Sequence, residues 1–518
     1  MKRGWERFVS SMLMVVLVSG YGYAGVKSDS GAVPPLYKEG ELIVKYRDNV
    51  SEARKMAGHS RRGSMRKKEF REFRMEQVKI RRGLSVEKAI REFEADGDVE
   101  YAEPNYVLKA INVPTDPQFY STWGMTKINA PAAWDNTTGS TGVVVAVIDS
   151  GVDYNHPDLK ANMWVNQAEL NGQPGVDDDG NGAVDDIYGY NAVSNNGNPM
   201  DDNGHGTHVA GTIGGVGNNG IGVAGVNWNV RIMACKFLAA NGSGYTSDAI
   251  ECLQYIKTMK ARGVNIVATN NSWGGGGYSK SLSDAINGQR NILFIAAAGN
   301  AASNNDTTAT YPAGYNLPNV IPVAATTSSD GLASFSNYGR RTVMVGAPGA
   351  SILSAYPNNR YVYMSGTSMA TPHVTGLAAL IKARYPTLDW RGIKNLILSG
   401  GDRPASLAAK SVTGRRINAF GSLTCVDSRV FSALKYPAAI QPGVATTLSA
   451  LSINCAQPSG PVTVALSGGE VMTLRDDGVS PDLAAGDGVF TGSWIPVRTA
   501  ERFYFSSPVG AETVTVGM

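Results

Sequence analysis

Val143-Val-Val-Ala-Val-Ile-Asp149-Ser-Gly151 is the stretch on which the fold turns. A continuous apolar run predicts a strand buried on both faces, as a parallel sheet demands. The run closes on an acid, so a carboxylate stands where the strand leaves the sheet. Four later segments have the same texture: Arg231–Phe237, Val264–Asn270, Ile292–Ala298 and Val320–Ala325. Helical patterns such as Ser247–Lys260 and Thr371–Arg384 lie between or after them. The alternation predicts an α/β fold, a doubly wound, mostly parallel sheet with helices on both faces. Functional groups then belong at the carboxyl ends of its strands.

This unit is one part of 518 residues, a length that suggests about three domains at ~150 residues each. With 43% hydrophobic and 18% charged residues the composition is globular, which excludes a disordered chain. The 60 glycines, about 12% against a usual ~7%, follow no triplet period and so exclude collagen. No apolar run reaches the ~18 residues of a membrane span. Residues 1–24 have the form of a secretion signal: Lys2, Arg3 and Arg7, then apolar Met12–Val18, then Gly22-Tyr-Ala24. The product is therefore expected outside the cytosol, extracellular or periplasmic.

Residues 25–110 read as a small α/β unit. Glu41–Arg47 alternates like a strand, Ser85 can cap a helix carrying Val86, Ala89, Ile90 and Phe93, and Val99–Tyr101 is a short strand. Residues 1–110 carry 22 Lys+Arg and 16 Asp+Glu, a net of +6, so the remainder carries −3 of the total +3. The basic stretch Arg54–Arg82 comes without a nucleic-acid motif and is read as a solvated helix face. After Gly421 the helical pattern stops, and 424–518 reads as an all-β, sandwich-like domain. Cys235, Cys252, Cys425 and Cys455 fit an oxidising compartment; Cys235–Cys252 with Cys425–Cys455 is favoured among three pairings, because each pair falls within one domain.

Three segments carry chemistry: Val145-Ala-Val-Ile-Asp149-Ser-Gly151, Asn203-Gly-His205-Gly-Thr-His208, and Ser365-Gly-Thr-Ser368-Met-Ala-Thr-Pro-His373. Taken singly, a strand-end Asp can be structural, a Ser at a helix start is more often a cap, and a lone His is usually packed. Together they supply a nucleophile, a base for its proton and an acid that fixes the base's tautomer. A different reading makes His205 and His208, three apart on a helix, a zinc pair, though no third ligand suggests itself.

The three motifs resemble those of the subtilisin family (subtilases) of serine proteases, in the order Asp…His…Ser that subtilisin itself shows. The resemblance covers about 111–423. It implies an endopeptidase in which Asp149 orients His205, His205 is the base towards Ser368, and Ser368 forms the acyl-enzyme. It also implies Asn300, in Phe294-Ile-Ala-Ala-Ala-Gly-Asn300, as an oxyanion donor, and makes His208, His373 and His156 structural. Asn271-Ser272-Trp273-Gly274-Gly275 resembles the strand that lines the P1 pocket and pairs with substrate backbone. Ala301 after Asn300 leaves that point without an acid, which suggests apolar or aromatic P1 groups. Residues 25–110 resemble the family's inhibitory pro-segment, cut near Lys109–Asn112. Non-catalytic binding scaffold and metal-dependent hydrolase are the competing functions.

Between Asp149 and His205, carboxylates recur at alternate positions. Asp177, Asp179, Asn181, Asp185 and Asp186 are expected to converge on Ca²⁺, the alternative being a solvated acidic loop. The resemblance implies a second Ca²⁺ site from Asp158, Asn219, the carbonyls of Ile221 and Val223, and Asp116. Asp476, Asp477, Asp482 and Asp487 near the C-terminus are open to two readings, a further calcium turn or Asp-Gly turn chemistry.

Overall fold

The computed structural model describes residues 37–107 and 113–517, which form two compact units dividing near residue 108. The expected signal and the cleavage region 109–112 lie outside the described residues.

In the first unit, β1 (Tyr37–Tyr46), α1 (Glu52–Arg62), β2 (Met65–Phe70), β3 (Met75–Lys79), α2 (Val86–Glu94) and β4 (Val99–Tyr106) build an antiparallel sheet ordered β2-β3-β1-β4. Leu42, Val44 and Val78 from the sheet meet Val86, Ala89 and Phe93 from α2 in one core. Ser51 and Ser85 cap the two helices through the amides of Arg54 and Lys88. The basic stretch is more than a solvated helix face. It runs from α1 through β2 and β3, and acids inside and outside it balance its cations: Arg54 meets Asp98, Arg61 and Arg62 meet Asp96, Arg66 meets Glu76 and Lys67 meets Glu41.

The second unit centres on a seven-stranded sheet in which every strand pairing is parallel, ordered β11-β10-β9-β8-β5-β7-β6. The strands are β5 (Gly139–Asp149), β6 (Gly189–Asn191), β7 (Asn229–Lys236), β8 (Ile266–Asn271), β9 (Leu293–Ala297), β10 (Val320–Thr326) and β11 (Val345–Pro348). Alternation along β5 builds two cores. Val143, Val145 and Val147 face α3 (His205–Gly214) and α6 (Thr367–Arg384), whereas Val144, Ala146 and Ile148 face α4 (Thr246–Ala261) and α5 (Lys280–Asn287). Consecutive apolar residues are thus required on β5 because both faces are covered. The order reverses on either side of β5, so the sheet's switch point coincides with Asp149. A hairpin, β12 (Ile352–Tyr356) and β13 (Arg360–Met364), precedes α6, and α7 (Trp390–Ser399) follows it.

The C-terminal strands β14 (Arg429–Lys435), β15 (Thr446–Asn454), β16 (Gln457–Pro458), β17 (Val462–Leu466), β18 (Val471–Leu474), β19 (Val489–Trp494), β20 (Glu501–Ser507) and β21 (Gly510–Val516) form two antiparallel sheets. Phe503, Phe505, Leu448 and Val464 pack between them. Val430, Leu451, Ile453 and Ala484, however, belong to the same core as Trp390, Ile393 and Ile397 of α7. Both favoured disulfides form: Cys235–Cys252 joins β7 to α4, and Cys425–Cys455 joins the chain before β14 to the turn after β15.

Because Ile453 is fully buried in that shared core, Ile453→Ala is expected to cost about 2–5 kcal/mol. Denaturant unfolding should show the loss in the transition of the whole second unit rather than in a separate β-domain transition.

Candidate functional site

Asp149 ends β5 with its side chain fully out of solvent. Its Oδ1 accepts from His205 Nδ1 at 2.7 Å and from the amide of Ser150 at 2.7 Å. His205 is the first residue of α3, and the loop before it is wound around one carboxylate: Asp201 accepts from the amides of Asn203, Gly204 and Thr207, and from the hydroxyls of Ser150 and Thr207. Gly206 is required by proximity. A Cβ there would overlap the Gly151 carbonyl oxygen and press on Asp149. Burial pushes the His205 pKa down, but the charge and hydrogen bond of Asp149, with the charge of Asp201, more than reverse this and hold it above the ordinary 6.5.

Ser368 is the second residue of α6, where its amide has no intrahelical acceptor. Its Oγ donates to the Ser272 carbonyl at 3.0 Å, so the hydroxyl proton must leave that acceptor before His205 can take it. Ser272 reciprocates, its Oγ donating to the Ser368 carbonyl at 2.8 Å. The reason lies four residues on. Pro372 lies inside α6 and has no N–H for that carbonyl, so a side chain from the neighbouring segment takes its place. Asn270 Nδ2 holds Ser272 Oγ at 2.9 Å, and Thr375 holds Asn270. Sequence reading missed Asn270 and Thr375 as supports.

Asn300 follows β9. Its Oδ1 accepts from both the amide and hydroxyl of Thr367, at 2.8 and 2.9 Å, which turns Nδ2 towards the start of α6. Gly366 lies between them: a Cβ there would stand 3.5 Å from both Asn300 Nδ2 and the Ser368 amide nitrogen. Two N–H donors thus stand beside Ser368.

His205, Ser368 and Asn300 line one cleft of about 780 Å³. One wall runs from Phe237 to Thr246, the other is Ser272 with Gly274–Gly277, and Thr310, Tyr311 and Tyr315 close one end. Among the described residues, no Asp, Glu, Lys or Arg lines it. Trp273 also lines the cleft, but its ring packs against Phe237 and Phe294, with centroids 4.8 and 6.2 Å away. The zinc-pair geometry does not form: His208 Nε2 donates to the carbonyls of Ile352 and Val362, at 3.0 and 3.1 Å, and burial lowers its pKa to about 4. His373 is likewise buried and lowered to about 4, and burial lowers His156 as well.

The acidic loop differs in detail from its sequence reading. Oxygens of Asp177 and Asp179 converge with one from Glu169, all within 4.8 Å of one another. Asp185 turns away to accept from Gly175 N, and Asp186 is buried against Tyr255, Asn166 and Asn181. Asn181 Oδ1 is taken by the amide of Ala183. Glu169, on a short helix eight residues before Asp177, carried no spacing signal. In the second group, Asp158 accepts from Asn219 Nδ2 at 2.8 Å and Val223 N at 2.9 Å, and Asp116 accepts from the amides of Asn218 and Asn219. Burial first, with the charge of Asp116 adding to it, raises Asp158 to about 6. Asp476, Asp482 and Asp487 also converge, but Asp487 is already paired with buried Lys394 at 2.9 Å.

A family model described as the subtilase family matches residues 140–413, and another described as the fervidolysin N-terminal prodomain matches 27–105. A thermophilic serine proteinase of Bacillus sp. (strain AK1) is 38% identical over 351 residues, 67% of this chain and 79% of that protein. Subtilisin-like protease 1 of Plasmodium falciparum (isolate 3D7) is 40% identical over 273 residues, 49% of this chain and 39% of that protein. A solved protease structure from Pseudoalteromonas arctica PAMC 21717 superposes with a TM-score of 0.50 at 29% identity, over 60% of this chain and 99% of that one.

Two outcomes follow from the site's geometry. A reaction using neutral His205 as base should lose rate as pH falls through a pKa above 6.5, read as the acidic limb of kcat/KM against pH. Gly206→Ala should displace His205 from Asp149 and lower kcat/KM by at least ~10²-fold, a steady-state measurement on folded protein.

Proposed function

The chain belongs to the subtilase family of serine proteases, and on that premise we propose that it is a secreted, calcium-stabilised endopeptidase made as a proenzyme, with Asp149, His205 and Ser368 as its triad. The observation that carries the reading is the buried Asp149–His205 hydrogen bond opening on the cleft that holds Ser368 and Asn300. In this mechanism Ser368 Oγ attacks the scissile carbonyl as His205 Nε2 takes its proton. Asp149 keeps Nδ1 protonated and stabilises the imidazolium. The oxyanion is received by Asn300 Nδ2 and the amide of Ser368. His205 then protonates the leaving amine, and water repeats the sequence on the acyl-enzyme.

Substrate backbone is proposed to lie along Ser272–Gly274, where glycines leave room for an added strand. The neutral cleft favours apolar or aromatic P1 residues. Residues 1–24 are proposed as the signal, 25–110 as the intramolecular inhibitor, 111–423 as the catalytic domain and 424–518 as an appended β domain. The match to a fervidolysin prodomain supports the inhibitor role.

For calcium, the donors fit a hard cation: all are oxygens, and three carboxylates converge on the 169–179 loop. Glu169, Asp177 and Asp179 would hold one ion, while Asn181, Asp185 and Asp186 brace the loop through hydrogen bonds of their own. Asp158, Asp116, Asn219 and the Ile221 and Val223 carbonyls would hold a second. Bound calcium supplies charge neutralisation that fixes these loops, and takes no part in bond cleavage.

Fluorophosphonate labelling with peptide mapping tests the assignment. The adduct should fall on Ser368, grow after loss of the N-terminal segment and vanish in Ser368→Ala; an unlabelled, folded, matured protein would overturn the triad reading. Asn300→Ala should lower turnover by roughly 10²–10³, the range that loss of such a donor costs in subtilisin itself. Chelation with EGTA should lower the melting temperature, and calcium at about a hundred times its Kd should restore about 2.7 kcal/mol.

A further inference from the structure

Lys236, the last residue of β7, is 3% exposed. A lysine taken out of water is tolerated when its donors are fully engaged, and here all three are. The ammonium donates to the Ser150 carbonyl at 2.8 Å, the Leu238 carbonyl at 2.8 Å and Asp202 Oδ1 at 2.6 Å.

Those acceptors come from three different parts of the site. Ser150 follows Asp149 at the exit of β5. Leu238 lies at the start of the cleft wall that runs to Thr246. Asp202 belongs to the loop that delivers His205. The contact between the two strand exits is reciprocal, because the Asp149 carbonyl accepts from the amides of Phe237 and Leu238 at 2.9 and 3.2 Å. Asp202 is half exposed, whereas the ammonium it meets is not.

We propose that Lys236 is a positioning residue for the Asp149–His205 pair: a buried cation that holds the exit of β5, the cleft wall and the loop before His205 in register, and offsets the negative charge around His205. The proposal rests on His205 being the general base, as assigned above. The charged groups acting directly on His205 are Asp149 from β5 and Asp201 from the preceding loop, with His208 from its own helix; Asp202 of that loop and Lys236 of β7 stand one contact further out. The two cleft walls add no charged side chain. The β12–β13 hairpin brings Tyr356, whose hydroxyl donates to the Asn203 carbonyl at 2.9 Å, and Arg360 above that ring; α6 brings His373. Lys236 is the one cation among them that touches both the strand of Asp149 and the loop of His205.

The test uses the matured full-length enzyme and a chromogenic peptide anilide, with rates normalised by fluorophosphonate titration of active sites. Lys236→Met keeps the stem and removes the charge. It should lower kcat/KM by about tenfold or more, and move the acidic limb up by roughly half a pH unit, as expected when a nearby cation that opposed imidazolium is lost. Asp202→Asn removes the partner anion from a half-exposed position and should move the limb down; an unmoved limb there would overturn the proposal even if Lys236→Met fails to accumulate. An unmoved limb in a folded variant overturns the proposal, whether or not the rate falls, since a merely structural lysine would alter rate or stability alone. Absence of labelling in the wild-type enzyme would instead sink the triad reading, and this proposal with it.

Discussion

A carboxylate with no access to water governs this molecule. Asp149 stands at the end of the central strand, where its Oδ1 takes the donors of His205 and Ser150 while its Oδ2 is buried without a hydrogen-bond partner among the described residues. Its 2.7 Å bond to His205 constrains the entry of α3, the absence of a side chain at Gly206 and the winding of the preceding loop about Asp201. The seven-stranded sheet places the carboxylate there, since the strand order reverses at β5 and leaves a crevice above it. The wider architecture can be understood as the support for one buried anion and the imidazole that faces it.

The nucleophile's helix solves a second problem. A proline inside α6 would leave the Ser368 carbonyl without its usual partner, and Ser272 supplies one. The helix carrying Ser368 is thereby tied to the segment on which substrate is proposed to lie. Helix and cleft wall share a hydrogen bond that exists because an ordinary one is missing.

Much of this was legible in the sequence because the signals were local. Runs such as Val143–Ile148, short and rich in β-branched residues, read as buried strands, and the residues around Asp149, His205 and Ser368 sit at element ends that turn signals mark. Tertiary convergence left weaker traces. Glu169 joins Asp177 and Asp179 through loop folding, so alternate spacing pointed instead to Asp185 and Asp186, which the fold uses elsewhere. Asn270 and Thr375 lie 105 residues apart and meet only when β8 packs against α6. Lys236 looks like the tail of an apolar strand. The Arg54–Arg82 stretch looked solvated because its acidic partners are scattered from Glu41 to Asp98.

The disulfide Cys425–Cys455 brackets the first two strands of the β module, while Ile453 and Leu451 lie in a core they share with α7. Peptide-bond scission anywhere between the two cysteines would therefore leave both pieces covalently linked. Such a nicked molecule would migrate as an intact chain on a non-reducing gel and separate only after reduction. The exposed surface between β14 and β15 can thus suffer autolysis without shedding the module, a tolerance of damage suited to an enzyme surrounded by copies of itself.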